Sequence, residues 1–333
     1  MPRSPALSAN VTALLLGMAW LAASAAVSAA YLWGIHMLPQ SLVSAQAALS
    51  IDAPFVYRLL VPWALGLMFP DAVLDGYWLR WLTATCSLAV VLGLMPAYAS
   101  RFTDDKAATP AAPGLLFFAI SAVLICHYVL PHRFRFYYIY DLPAVVMYMV
   151  TFLALTSTMR YRWLWGALMV AVFSLNRETV VIAVFHAAAL QWGQLTSNTR
   201  AKTSLILKSM MLVLPVVVIR WLLVQAIDAP KGQVMEFMDG DQIRLFANIN
   251  RIVTQYQHTV TLLYFGCGAL VWLSLGWSRL GAALQRVARI SLLPFAMLMA
   301  VGNPTELRIF NEFVPLCALA LSVFLTRLIS GHR

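Results

Sequence analysis

A chain of 333 residues that is 62% hydrophobic and only 11% charged is not a soluble globular domain; it reads as an all-α, polytopic membrane protein. The formal net charge of +10 does not point to nucleic acid, because the basic residues stand singly at the ends of apolar runs, where they set topology against anionic headgroups. The four cysteines, Cys86, Cys126, Cys267 and Cys317, lie far apart within apolar runs, and no CxxC or zinc spacing joins them.

Residues 1–38 have a basic start at Arg3 and a long apolar stretch with Ala-Ser-Ala at 23–25, the pattern of a signal anchor that is long enough to span. The next loop, 39–76, is then external. It carries Asp52, Pro54, Tyr57 and Arg58, followed by an apolar run, Leu59–Phe69, that is too short to cross and is expected to lie at the interface or re-enter. Asp52 is a candidate general base: an ionised carboxylate at the outer face can take a proton from a sugar hydroxyl. Its plain alternative is a solvated loop carboxylate or helix cap.

Tyr77–Ser100 returns the chain inward to a polar turn (Arg101, Asp104, Asp105, Lys106), and Leu115–Leu130 goes out again. At the outer face the sequence PHRFRFYYIYDLP, 131–143, interleaves Arg133 and Arg135 with Phe134, Phe136, Tyr137, Tyr138 and Tyr140, and ends on Asp141. An interfacial aromatic belt accounts for the tyrosines, but arginines outside run against the positive-inside bias. Guanidinium forks match phosphate oxygens, which makes Arg133 and Arg135 candidates for a lipid-linked phosphate, with headgroup contact as the alternative. Asp141 pairs with one of them or serves as a second catalytic carboxylate.

Leu142–Thr158 goes inward, and the apolar run Trp163–Trp192 follows, broken once by Asn176-Arg177-Glu178. As one helix it would be roughly 45 Å long against a hydrocarbon core of ~30 Å, and both flanks are basic. The economical reading is a hairpin of two short helices, 163–192, whose polar elbow sits inside the membrane. Charge at that depth is tolerated only within protein or against a water-filled cavity. Leu205–Ile227 then goes out with Arg220 in its outer third, and the external loop 228–260 holds an Asp239/Asp241 pair, short of a calcium loop, and an amphipathic stretch, Ile243–His258, suited to the membrane surface. Thr261–Trp277 goes in, and Arg279, Arg286 and Arg289 mark the turn. The last region, 290–329, is a second hairpin whose elbow, GNPTELRIFNE, carries Glu306, Arg308, Asn311 and Glu312.

This gives about ten membrane segments, two of the units being short-helix hairpins, in one domain with both termini cytoplasmic. All but Asp104 and Asp105 of the thirteen acidic residues fall outside or at the two elbows, although they played no part in assigning sides. The layout is that of an outward-facing polar cavity. No ATP-binding motif accompanies it, so any chemistry draws on a donor already activated in the membrane.

With its signal-anchor first span, an acidic residue in the first outward loop, short paired helices and a polar cavity, the chain resembles the GT-C superfamily of integral-membrane glycosyltransferases. The resemblance implies a polyprenyl-phosphate-linked sugar donor, a glycan or lipid acceptor and membrane lipids as partners, with the active face non-cytoplasmic; the short loops and signal-like start suit a bacterial inner membrane with that face toward the periplasm. It also implies a catalytic acidic residue in the first outward loop, here Asp52, which stands alone between Ile51 and Ala53 where many such enzymes have a pair. On that reading Arg58, Arg133, Arg135 and Arg308 stabilise the departing phosphate, while Arg177, Glu178, Glu306 and Glu312 orient sugar hydroxyls or build the cavity floor. No cofactor is expected, and the sequence leaves a divalent metal open. The competing readings are a transporter or flippase, an O-antigen-type polymerase, and a non-catalytic assembly protein whose elbow charges simply pair.

Overall fold

Backbone amides and carbonyls have no water to bond in hydrocarbon, so each apolar run must satisfy itself, and a helix does this within one segment. The computed structural model describes residues 5–33, 35, 38–52, 55–102, 113–130, 137–195, 199–227, 238–239, 242–303 and 306–331, and these are helical almost throughout. The order opens with α1 (Pro5–Leu32), a short α2 (Val43–Ala47), α3 (Leu60–Met68), α4 (Asp71–Leu74) and α5 (Tyr77–Ser100). α6 (Pro113–Leu124) runs into a five-residue π-helical turn, Ile125–Val129. α7 (Asp141–Leu155) starts where the local sequence favours it: Asp141 meets the positive end of the helix dipole and Pro143 sits in the first turn, where no amide proton is missed.

α8 (Arg162–Ser174) and α9 (Ile182–Gln194) form the first hairpin, joined by an elbow that includes the 3-10 turn Glu178–Val181. α10 (Thr199–Ala226) is a long span, and a two-residue ribbon of β1 (Met238–Asp239) and β2 (Gln242–Ile243) precedes α11 (Arg244–Thr254). α12 (Tyr256–Tyr264) and α13 (Ala269–Gly276) belong to a pair of segments bent by 59°. Gly266 (φ +54°) and Gly268 (φ +78°) make that bend in left-handed backbone, and a side chain on Gly266 would run into Cys317. α14 (Ala282–Val301) leads through Gly302 and Asn303 to a 3-10 segment, Leu307–Phe313, that continues as α15 (Val314–Ile329).

The helices able to cross are fewer than the ten or so membrane segments expected. Among the described residues five helices are long and apolar enough to cross a membrane: Leu14–Leu32, Tyr77–Ser100, Thr199–Ala226, Ala282–Val301 and Leu307–Ile329. The bent pair makes a sixth if it is one span. The reason is length. The apolar helices Gly114–Val129, Asp141–Leu155 and Arg162–Ser174 rise only about 20–24 Å at 1.5 Å per residue, short of a ~30 Å core. The second hairpin departs in the other direction, because α14 takes in Arg286 and Arg289 and both of its limbs are long enough to cross. The amphipathic stretch also divides, at Gln255. In α11, Phe246, Ile249 and Val253 stay exposed while Asn248 is fully buried and donates to the Met299 and Gly302 carbonyls, capping the end of α14.

α5, α8 and α9 pack around α7, and α6 lies along α15. Tyr148, Met149 and Phe152 of α7 and every residue from Val314 to Ser322 are buried. The elbows therefore meet at the α7 N-terminus, in the middle of the bundle.

Candidate functional site

Five parts of the chain deliver charge to one place. Asp141, the first residue of α7, is fully buried. Arg177 reaches it from the first elbow, where extended backbone (φ −153°, ψ 133°) aims the side chain inward and Arg177 Nη1 lies 3.3 Å from Asp141 Oδ1. Arg308 comes from the second elbow, with Nη1 at 3.6 Å from Asp141 Oδ2. Asn311, past a kink at Phe310 in the same segment, also turns toward Asp141 and donates to its carbonyl at 3.0 Å. One carboxylate thus holds the two elbows together.

The cluster widens from there. Arg177 also donates to the Arg308 carbonyl at 3.0 Å and stands 3.8 Å from Glu312, whose carboxylate accepts from the Thr179 hydroxyl. Glu306 pairs with Arg308, and Glu178 lies 3.9 Å from Arg220 of α10. Arg58 donates to the Tyr140 hydroxyl at 2.7 Å, from a loop pinned to the end of α8 where the amide of Leu59 meets the Leu175 carbonyl at 2.7 Å. Four arginines and four carboxylates give formal balance. Glu178, outside the five spanning helices, is pushed up by burial, but Arg220 and Arg58 outweigh that and hold its carboxyl below the ordinary glutamate value.

Aromatic rings form the wall. The Arg308 guanidinium lies 3.9 Å from the Tyr138 ring centroid, Arg58 is 4.9 Å from that of Tyr140, and Phe55 stacks on Tyr138 at 5.1 Å. A membrane-interface belt is therefore the wrong account of Tyr138 and Tyr140, which are buried among charges at the centre of the bundle. Behind them the π-helical turn brings His127 and Tyr128 onto the Asn311 side-chain carbonyl, at 3.2 and 2.7 Å; such turns recur at functional sites.

A narrow crevice opens onto the cluster between Phe55, Arg58, Arg177, Glu306 and Arg308, with a free volume of ≈ 10 Å³, about one water. Three guanidiniums and one carboxylate line it, so it is cationic within a neutral cluster. Several buried polar atoms at the site make no hydrogen bond, among them Asp141 Oδ2, Asn176 Oδ1, Arg58 Nε, Arg308 Nε and Glu312 Oε2. Most buried polar atoms in folded proteins find a partner, so this concentration marks a place with spare bonding capacity.

Of the residues singled out from sequence, Arg58, Asp141, Arg177, Glu178, Glu306, Arg308 and Glu312 come together. Asp52 does not join them: its side chain is exposed, while its carbonyl accepts from the amides of Phe55 and Val56, tying it one turn from the crevice wall. Arg133 and Arg135 lie outside the described residues, as does Asp241. Among the described residues no three His, Cys, Asp or Glu side chains are grouped to hold a metal ion. Sequence reasoning passed over Thr179, His127 and Tyr128 and left Arg220 without a role. Thr179 had the one usable signal, a hydroxyl next in sequence to the elbow carboxylate of Glu178. Comparison of the chain with protein-family models, with curated proteins and with solved structures gave no match.

Proposed function

We propose that this protein is a membrane glycosyltransferase that moves a sugar from a polyprenyl-phosphate-linked donor to an acceptor hydroxyl at the non-cytoplasmic face. The observation that carries the proposal is the cationic crevice: Arg58, Arg177 and Arg308 against Glu306, in a protein with several apolar helices of spanning length. Fixed guanidiniums at a water-poor site stabilise charge that develops on a leaving phosphate. In the reaction the acceptor oxygen bonds to the anomeric carbon as the bond from that carbon to the phosphate oxygen breaks. The electron pair leaves with the polyprenyl phosphate, and the acceptor proton passes to Asp52 at the rim. Admission of a sugar requires the crevice to widen, since it is far smaller than a ligand pocket.

A second reading has one observation in its favour. Asp141 is fully buried between two guanidiniums, the arrangement of an ion-paired lock in a non-catalytic assembly protein. The decisive experiment reconstitutes the full chain and measures polyprenyl-phosphate release over a panel of lipid-linked sugars. Release by the wild type and its loss in Asp52→Asn, with thermal stability unchanged, supports the transferase with Asp52 as base. Absence of release over the whole panel would leave the lock as the better account.

A further inference from the structure

At the other end of α9 and α10 the described residues around α9 include several basic side chains. Gln191 and Trp192 close α9 beside Arg162, which donates to Gln191, and Lys202, whose ammonium lies 5.3 Å from the Trp192 ring. Between α9, α10 and α14 runs a groove of ≈ 530 Å³, within the size range of a ligand site. Its walls are apolar, with Phe185, Trp192, Ile206 and Met210 among them. Among the described residues that line it, the charged ones are Arg286 and Arg289.

Arg286 is set into the groove rather than spread on the surface. A Cβ built on Gly193 would come within 2.0 Å of its Cζ, so the guanidinium occupies space that the glycine leaves, and its Nε is buried without a hydrogen-bond partner. Arg289 is braced against the Trp277 ring at 5.5 Å. An apolar trough that ends in two guanidiniums, with no carboxylate among its described lining residues, complements a molecule with an anionic head and a hydrocarbon tail. Basic sites of this kind between membrane helices bind phospholipid headgroups.

We propose that the groove seats one anionic phospholipid of the adjoining leaflet, its acyl chains along α9 and α10 and its phosphate between Arg286 and Arg289. The site is separate from the Asp141 cluster and does not depend on the function proposed for it.

The test uses the full chain in a neutral detergent, equilibrated with vesicles of equimolar phosphatidylglycerol and phosphatidylcholine, with retained lipid read by native mass spectrometry. The wild type is expected to keep one phosphatidylglycerol per chain. Arg286→Gln with Arg289→Gln should weaken retention on the order of 30-fold, from roughly 1 kcal/mol per basic residue. A control pair, Arg160→Gln just before α8 with Arg327→Gln in the last turn of α15, should stay within about 2-fold, since neither lines the groove. Met210→Trp keeps both arginines, changes an exposed residue, fills the trough and should also abolish retention. Equal retention of the two lipids by the wild type, equal loss in both arginine pairs, or undiminished retention in Met210→Trp would each overturn the proposal.

Discussion

Two buried polar systems share helix α7, and they are built on opposite terms. Around Asp141 every principal group carries formal charge, several atoms lack a hydrogen bond, and a crevice leads outside. Two turns further along, Tyr148 belongs to a neutral chain. Its hydroxyl lies 3.0 Å from that of Tyr98 and 2.6 Å from His186 Nδ1, and His186 Nε2 lies 2.8 Å from Ser291 Oγ. Because the Ser291 hydroxyl donates to the Val287 carbonyl, it accepts from His186 Nε2–H. His186 Nδ1 then accepts from Tyr148, and Tyr148 from Tyr98. None of these side-chain atoms is left without a partner. A saturated neutral chain crosses the core at little cost and joins α5, α7, α9 and α14. An ionic cluster with atoms to spare is expensive to keep, which is the reason to look for chemistry there and for architecture in the chain.

That division can be broken by mutation. The largest effect is expected from Asp52→Asn, which should lower transferase turnover by about 10²–10⁴-fold, the usual contribution of a general base, with an unchanged unfolding midpoint. Asp141→Ala should act on the fold: it leaves Arg177 and Arg308 facing each other without their shared carboxylate, at a cost of about 3–5 kcal/mol, measured by thermal or denaturant unfolding in micelles. Tyr148→Phe should cost about 1–3 kcal/mol, because His186 and Tyr98 both lose a buried partner, and it should leave turnover alone. If Tyr148→Phe instead stops turnover in folded protein, the neutral chain is part of the chemistry and the contrast fails.

The smallest effect tests the edge of the cluster. The Glu178 carboxyl is held below its ordinary value, so its pairing stabilises the protein near neutrality and is lost as pH falls through the folded-state pKa. Its partner Arg220 and Glu178 are both about a third exposed, which limits the gain to a few tenths of a kcal/mol. Unfolding midpoints of wild type and Glu178→Gln should therefore differ slightly at pH 7 and converge in acid. A constant difference across that range would mean that the charge of Glu178 is immaterial.

Much of this was legible in the sequence. Composition and hydropathy identified a helical membrane protein, and the interruption at Asn176-Arg177-Glu178 marked a hairpin elbow, since a helix that long exceeds the bilayer and buried charge needs a protein lining. The elbow charges were visible as candidates for the same reason. Hydropathy misjudged which segments are long enough to cross, because an apolar run ends where polarity returns and not where a helix reaches the far side. The pattern sets each helix's approximate depth but neither its rotation nor its neighbours, which follow from packing against the rest of the bundle. So only the tertiary structure decided that Asp141 faces Arg177 and Arg308, charges from three distant parts of the chain. It also decided that Tyr138 and Tyr140 line this cluster and not the membrane interface, and that Asp52 stays outside at its rim.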